Sequence, residues 1–249
     1  TVDTLGNQKK VNYALRANMT KDEFIREVTD GLLPPPKYFP LNVKMNKEGY
    51  EDIAEVLERG DTALSPDDFE GIANESGAIV LDVRHQDDFV KAHVPRSIFV
   101  GLDGDFAPWV GALIADTLQP ILLVVPQGRE KETVTRLARV GFDYTIGYLK
   151  GGLEAWIADG KEYDIVSSLS AKEAMEKLSL EDLPIFDVRR ESEYQAGHAV
   201  DACNTPLDSL NDHLSEFPNK GFFYVHCAGG YRSIIAASIL KSRGTHNLI

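Results

Sequence analysis

Phe222-Phe223-Tyr224-Val225-His226-Cys227-Ala228-Gly229-Gly230-Tyr231-Arg232-Ser233 runs directly into Ile234-Ile235-Ala236-Ala237-Ser238-Ile239-Leu240. Its aromatic and β-branched start predicts a buried strand, and the apolar run after Ser233 has the length and composition of a helix. A short glycine-rich loop that opens with a cysteine joins the two. Strand, loop and helix in this order form an anion cradle. Gly229 and Gly230 can take the positive φ angles that turn successive backbone N–H groups inward, and the helix adds its N-terminal partial positive charge at the same point. A thiol held there is expected to ionise easily and to act as a nucleophile. Arg232 can present a fork of donors to an anionic substrate or leaving group. The alternative is a buried structural cysteine, as most free cysteines are. Two adjacent glycines and an arginine argue against it, because a core cysteine needs neither.

The segment Cys227-Ala228-Gly229-Gly230-Tyr231-Arg232-Ser233 resembles the active loop of the rhodanese family, sulfurtransferases that carry sulfane sulfur as a cysteine persulfide. Four residues lie between Cys227 and Arg232, one fewer than in the cysteine phosphatases related in fold, whose wider loop surrounds a phosphate group. The resemblance implies that Cys227 accepts sulfur from thiosulfate or a low-molecular-weight persulfide and passes it to a thiol or cyanide. Arg232 would act with it in catalysis, and Ala228, Gly229, Gly230, Tyr231 and Ser233 would bind the substrate through the loop amides. Arg189 is similar to a family arginine that contacts anionic substrate; an ion pair with Asp187 or Glu193 is the alternative. His226 precedes the nucleophile, but successive strand residues point to opposite faces, so it is expected to be packed or hydrogen-bonded. Two further readings stay open. One is an arsenate- or phosphate-handling cysteine enzyme on the same fold, which the loop length opposes. The other is a non-catalytic docking or regulatory module.

Composition fits this picture. The 249 residues are 43% hydrophobic and 26% charged, an ordinary globular balance with room for two domains. A formal net charge of −13 argues against nucleic acid or an anionic membrane surface as partner. No apolar run has the length of a membrane span and no signal-peptide pattern follows Thr1. Cys203 and Cys227 are the only cysteines, so there is no disulfide framework. A cytoplasmic protein with small-molecule sulfur donors and thiol acceptors as partners is expected. Whether it forms a homo-oligomer stays open.

From about Asp61 the chain repeats itself. Leu64-Ser65-Pro66-Asp67-Asp68 recurs 105 residues on as Leu169-Ser170-Ala171-Lys172-Glu173. Asp82-Val83-Arg84 falls on Asp187-Val188-Arg189 at that offset, Asp88-Phe89 on Glu193-Tyr194, and His93 on His198. Ser65 and Ser170 read as N-caps. The near-continuous apolar runs Ala78–Asp82 and Leu183–Asp187 predict strands of parallel sheets covered on both faces. The expected fold is therefore α/β, with two domains of mostly parallel sheet and flanking helices, 61–163 and 164–249. Leu149-Lys150-Gly151-Gly152-Leu153-Glu154-Ala155-Trp156 is similar to the closing segment of rhodanese domains. Pro126 stands where the second repeat has Cys227, and proline offers neither a nucleophile nor an N–H. The first repeat thus resembles an inactive rhodanese-like domain, with Arg129 and Lys131 as a weak anion-binding alternative. The second shows no counterpart of 149–156 and reads as C-terminally truncated.

Residues 1–60 read as too small a core to fold alone. A helix capped by Thr20 is predicted to end at Gly31, and Leu33-Pro34-Pro35-Pro36-Lys37-Tyr38-Phe39-Pro40 to be extended. Together with Gly6-Asn7-Gln8-Lys9 and Asn12-Tyr13-Ala14-Leu15-Arg16, that proline segment is similar to the C-terminal end of the metallo-β-lactamase domain in persulfide dioxygenase-like fusion proteins. The family's iron site belongs to the part of that domain missing here, since no two of the six histidines have its ligand spacing. No cofactor is expected in this chain.

Overall fold

The computed structural model describes residues 2–16, 18–30, 38–178 and 183–249. The chain divides into two compact units, Thr1–Pro36 and Lys37–Ile249. The smaller contains α1 (Leu5–Val11), a 3-10 turn (Tyr13–Leu15) and α2 (Lys21–Thr29). Thr20 caps α2 with a full capping box: Glu23 N donates to Thr20 Oγ1 at 3.3 Å, and Thr20 N donates to Glu23 Oε2 at 2.8 Å. Neither helix has a buried residue. The predicted stop at Gly31 and residues 33–37 of the segment expected to be extended lie outside the described residues; at its other end the expectation fails, because Phe39 and Pro40 open a helix, where proline is tolerated in the first turn.

The segment 1–60 does not stay together. Helices α3 (Phe39–Glu48) and α4 (Ile53–Gly60) belong to the large unit. Asp52 caps α4 by accepting from Ala54 N at 2.7 Å, and Val56 is 1% exposed in the same core as Val134 and Leu137. At Gly60 a Cβ would stand 2.7 Å from Val134 Cγ2, so only glycine lets α4 approach this closely. An amphipathic helix that buries its valine against a domain becomes part of that domain, and this moves the boundary upstream of 60.

The large unit then alternates strand and helix: β1 (Ala63–Leu64), α5 (Pro66–Glu75), β2 (Ile79–Asp82), α6 (Gln86–Lys91), β3 (Ile98–Phe99), α7 (Phe106–Leu113), β4 (Ile121–Val124), α8 (Glu130–Ala138), β5 (Thr145–Leu149) and α9 (Gly152–Ala158). These strands form a wholly parallel sheet in the order β1-β5-β4-β2-β3. The second repeat supplies α10 (Ala171–Leu178), β6 (Ile185–Asp187), α11 (Glu191–Ala196), β7 (Cys203–Asn204), β8 (Tyr224–His226) and α12 (Tyr231–Ser242). Its parallel sheet runs β7-β6-β8, the order of β3-β2-β4, and Leu248 bridges Phe223 in parallel, as β5 lies beside β4. The fold is α/β, with two parallel sheets flanked by helices. Both serine caps form: Asp68 N donates to Ser65 Oγ at 3.2 Å and Glu173 N to Ser170 Oγ at 3.3 Å. Among the described residues no helix is long and apolar enough to cross a membrane.

The sheets share a core. Phe89, Phe99 and Leu113 of the first repeat pack in one buried cluster with Phe186, Phe217, Phe223 and Ile235 of the second. Within it, Phe99 N donates to Ser238 Oγ at 2.9 Å, so α12 lies along the outer edge of the first sheet. Buried apolar surface spanning both repeats makes them one folding body rather than two beads.

Candidate active site

Cys227 follows directly on β8, and Gly230 precedes α12 with φ +88°. That angle belongs to the left-handed region that glycine tolerates. Gly229 does not share it, so one positive-φ glycine turns the loop where two were expected. The turn aims two amides at the sulfur: Gly230 N donates to Cys227 Sγ at 3.2 Å and Ser233 N at 3.4 Å. Ser233 Oγ donates to Gly230 O at 2.9 Å and lies 3.7 Å from Sγ. Cys227, Ala228, Gly229, Gly230 and Ser233 line one end of a cavity of about 550 Å³ that continues over Tyr224, Ile185 and Met175. Over the corresponding face of the first sheet, Leu153 and Trp156 of α9 pack on Phe69.

Arg232 stands beside this loop, but its fork is taken. Nη1 and Nη2 donate to Glu193 Oε2 and Oε1 at 2.6 and 2.8 Å. Glu193, and to a lesser degree Cys227, raise the guanidinium's pKa above its usual value. In return the Arg232 hydrogen bonds lower the Glu193 carboxyl to about 2. A charge-assisted pair with two parallel arms orients the arginine as well as neutralising it. Local sequence offers Glu193 as a partner for Arg189; its pairing with Arg232 joins residues 39 positions apart and carries no local signal.

Arg189 follows the alternative reading. Its Nε donates to Asp187 Oδ2 at 2.9 Å, Nη2 to the same oxygen at 2.6 Å, and Nη2 also to Gly197 O at 2.8 Å. Arg84 repeats this with Asp82 and the Ala92 carbonyl in the first sheet. An arginine doing the same work in both repeats fastens the end of a strand. It does not line the cavity.

Tyr231 leaves the substrate side altogether. Its hydroxyl donates to Gly101 O in the first repeat at 2.9 Å, and its ring meets Phe99 edge-on at 5.7 Å. His226 is half-buried without a hydrogen bond to Nε2, whose nearest carboxylate is Asp187 at 3.6 Å. His198 stacks on Tyr194 at 3.8 Å, and His93 stacks on Phe89 at 4.0 Å. Each points Nδ1 at the stacked partner's carbonyl, at 2.8 and 2.9 Å respectively, which makes the pair a repeated structural element. Cys203 is exposed on the edge strand β7.

The first repeat has no nucleophile at the equivalent place, although the residue there differs from expectation. Val83 N donates to Val124 O as Val188 N donates to His226 O, each at 2.9–3.0 Å, so Val124 matches His226. Val125, not Pro126, therefore stands at the position of Cys227. Five residues (125–129) join β4 to α8, whereas four (227–230) join β8 to α12, and that extra residue shifts a comparison made along the loop. Arg129 is engaged by Asp103 and Glu132, and Lys131 stands 3.5 Å from Asp61.

Over 60 residues the chain is 33% identical to the uncharacterized protein YqhL of Bacillus subtilis, and over 64 residues 31% identical to an HTH-type transcriptional regulator of Mycobacterium tuberculosis. These matches cover 24% and 26% of this chain, and 48% and 28% of the two relatives' own lengths. Among solved structures it is similar to the thiosulfate sulfurtransferase from Pseudomonas aeruginosa, with 18% identity and a TM-score of 0.37 over 86% of this chain and 45% of that one. The profile of the rhodanese-like domain matches residues 65–159 and again 170–249. Two matches that together span most of the sequence, one on each sheet, mean that this chain belongs to the rhodanese-like domain family.

Proposed function

We propose that the chain is a sulfurtransferase in which Cys227 carries sulfane sulfur. The observation that supports this most is the Cys227 sulfur held by two loop amides beside a charged arginine. In the first half-reaction the Cys227 thiolate attacks the outer sulfur of thiosulfate. The new S–S bond forms as the donor's S–S bond breaks, and sulfite leaves with the electron pair. In the second, cyanide or an acceptor thiolate takes the outer sulfur, and Cys227 departs as thiolate. The amides of Gly230 and Ser233 suit a persulfide anion because they are already oriented before charge develops. No cofactor enters either step.

The first repeat is read as non-catalytic, because neither Val125 nor Pro126 can attack sulfur. Either thiosulfate or a low-molecular-weight persulfide can serve as donor in this scheme. Steady-state thiocyanate formation from thiosulfate and cyanide tests the proposal. The unaltered chain is expected to turn over, and Cys227→Ser to lose at least about a thousandfold, as removal of a covalent nucleophile does. Equal rates in both would leave the docking reading in its place.

A further inference from the structure

Tyr231 is the first residue of α12, flanked by Gly230, whose amide reaches the Cys227 sulfur, and by Arg232. Its ring nevertheless lies against a turn of the first repeat. At Gly104 a Cβ would stand 2.5 Å from Tyr231 Oη and 2.8 Å from Cε2, and at Gly101 it would stand 3.1 Å from Cε2. Two positions without side chains make the space that the ring fills. The turn is itself fixed: Leu102 N donates to Val83 O at 3.0 Å, Gly104 N to Gly101 O at 3.2 Å, and Arg136 Nη1 to Leu102 O at 2.7 Å. Burial pushes the Tyr231 phenol's pKa well up, so it stays a donor to Gly101 O.

We infer that the first repeat positions the sulfur-carrying loop of the second through Tyr231, whose ring is seated between Gly101 and Gly104. Tyr231 is thus a positioning residue for Cys227, and the repeat without a nucleophile is a working part of the site. The chain of contacts is short: Gly101 and Gly104 hold the ring, the ring fixes the first turn of α12, and that turn carries Gly230 N, Ser233 N and Arg232. The inference rests on the proposed role of Cys227 as sulfur carrier. It concerns thiol geometry, which can be read without sulfur transfer.

The test uses the full chain with Cys203→Ser, so that iodoacetamide reports Cys227 alone. Gly104 is an exposed turn residue with an ordinary backbone angle, so Gly104→Ala pushes on the ring and not on the fold of the first repeat. Gly104→Ala and Tyr231→Ala are each expected to slow alkylation at least about tenfold, the effect of misplacing a reacting group by a fraction of an ångström. The double variant should be no slower than Tyr231→Ala, since both act on one contact. Tyr231→Phe keeps the ring, loses one hydrogen bond, and should slow alkylation about threefold to tenfold. Thiocyanate turnover should fall in step through kcat, with KM for thiosulfate little changed. Ser238→Ala, which loosens the same interface farther along α12, should leave the alkylation rate unaltered. Unchanged alkylation in folded Gly104→Ala and Tyr231→Phe would overturn the inference, as would an equal loss in Ser238→Ala. A chain that alkylates as expected but takes up no sulfur would instead overturn the function proposed above.

Discussion

At the scale of single residues, the site is a sulfur, two amides and an arginine whose fork is already in use. Arg232 meets Glu193 with both nitrogens, and a lysine could reach only one of those oxygens. Arg232→Lys is therefore expected to lower thiocyanate turnover about tenfold while keeping the charge, measured at saturating thiosulfate. The pair has a defined acid limit. Because the Glu193 carboxyl is lowered to about 2, it stays charged where an unfolded glutamate would take up a proton. Its contribution to stability is fully present above the ordinary glutamate value and is lost as pH falls through about 2. An NMR titration of the Glu193 carboxyl that gives an ordinary midpoint would contradict this pairing. The turn that brings two amides onto the Cys227 sulfur is legible in seven consecutive residues because the loop is local. Glu193 and the destination of the Tyr231 ring are not, since both depend on where distant elements dock.

At the scale of elements, α12 carries the site at one end and the joint between the sheets along its length. Ser238 is fully buried; its hydroxyl accepts from Phe99 N at 2.9 Å and donates to Ile235 O at 2.7 Å. Ser238→Ala leaves a buried amide without a partner and should cost about 1–3 kcal/mol in urea unfolding. A loss below experimental error would mean that the contact with β3 does not hold α12. The repeated strands and capped helices could be read from sequence because the same residue types recur at one offset. The loop after β4 could not, because one extra residue there places Val125 rather than Pro126 opposite Cys227. Helix α4 escaped for a similar reason: its single buried valine and its contact glycine acquire meaning only against α8.

At the scale of the whole molecule, the repeats are stitched at His93. His93 N donates to Asp164 O and Asp164 N to His93 O, each at 2.9 Å, and Lys241 Nζ of α12 approaches Asp164 Oδ2 at 3.0 Å. His93 is 1% exposed, and burial lowers its pKa to about 4. The unfolded chain therefore binds a proton between the ordinary histidine value and 4 that the native state refuses, so stability falls as pH drops through that window. The loss reaches about 3 kcal/mol near pH 4. Urea midpoints from pH 7 to 4 should show this decline, and His93→Gln should flatten it; a decline of the same size in His93→Gln would assign it to other groups.

The most direct measurement is intact-mass and peptide analysis of the chain after thiosulfate, and again after cyanide. One added sulfur is expected on the peptide containing Cys227, with none on that containing Cys203, removal by cyanide, and no gain in Cys227→Ser. A folded chain that gains no sulfur, or gains it only at Cys203, would contradict sulfur carriage by Cys227.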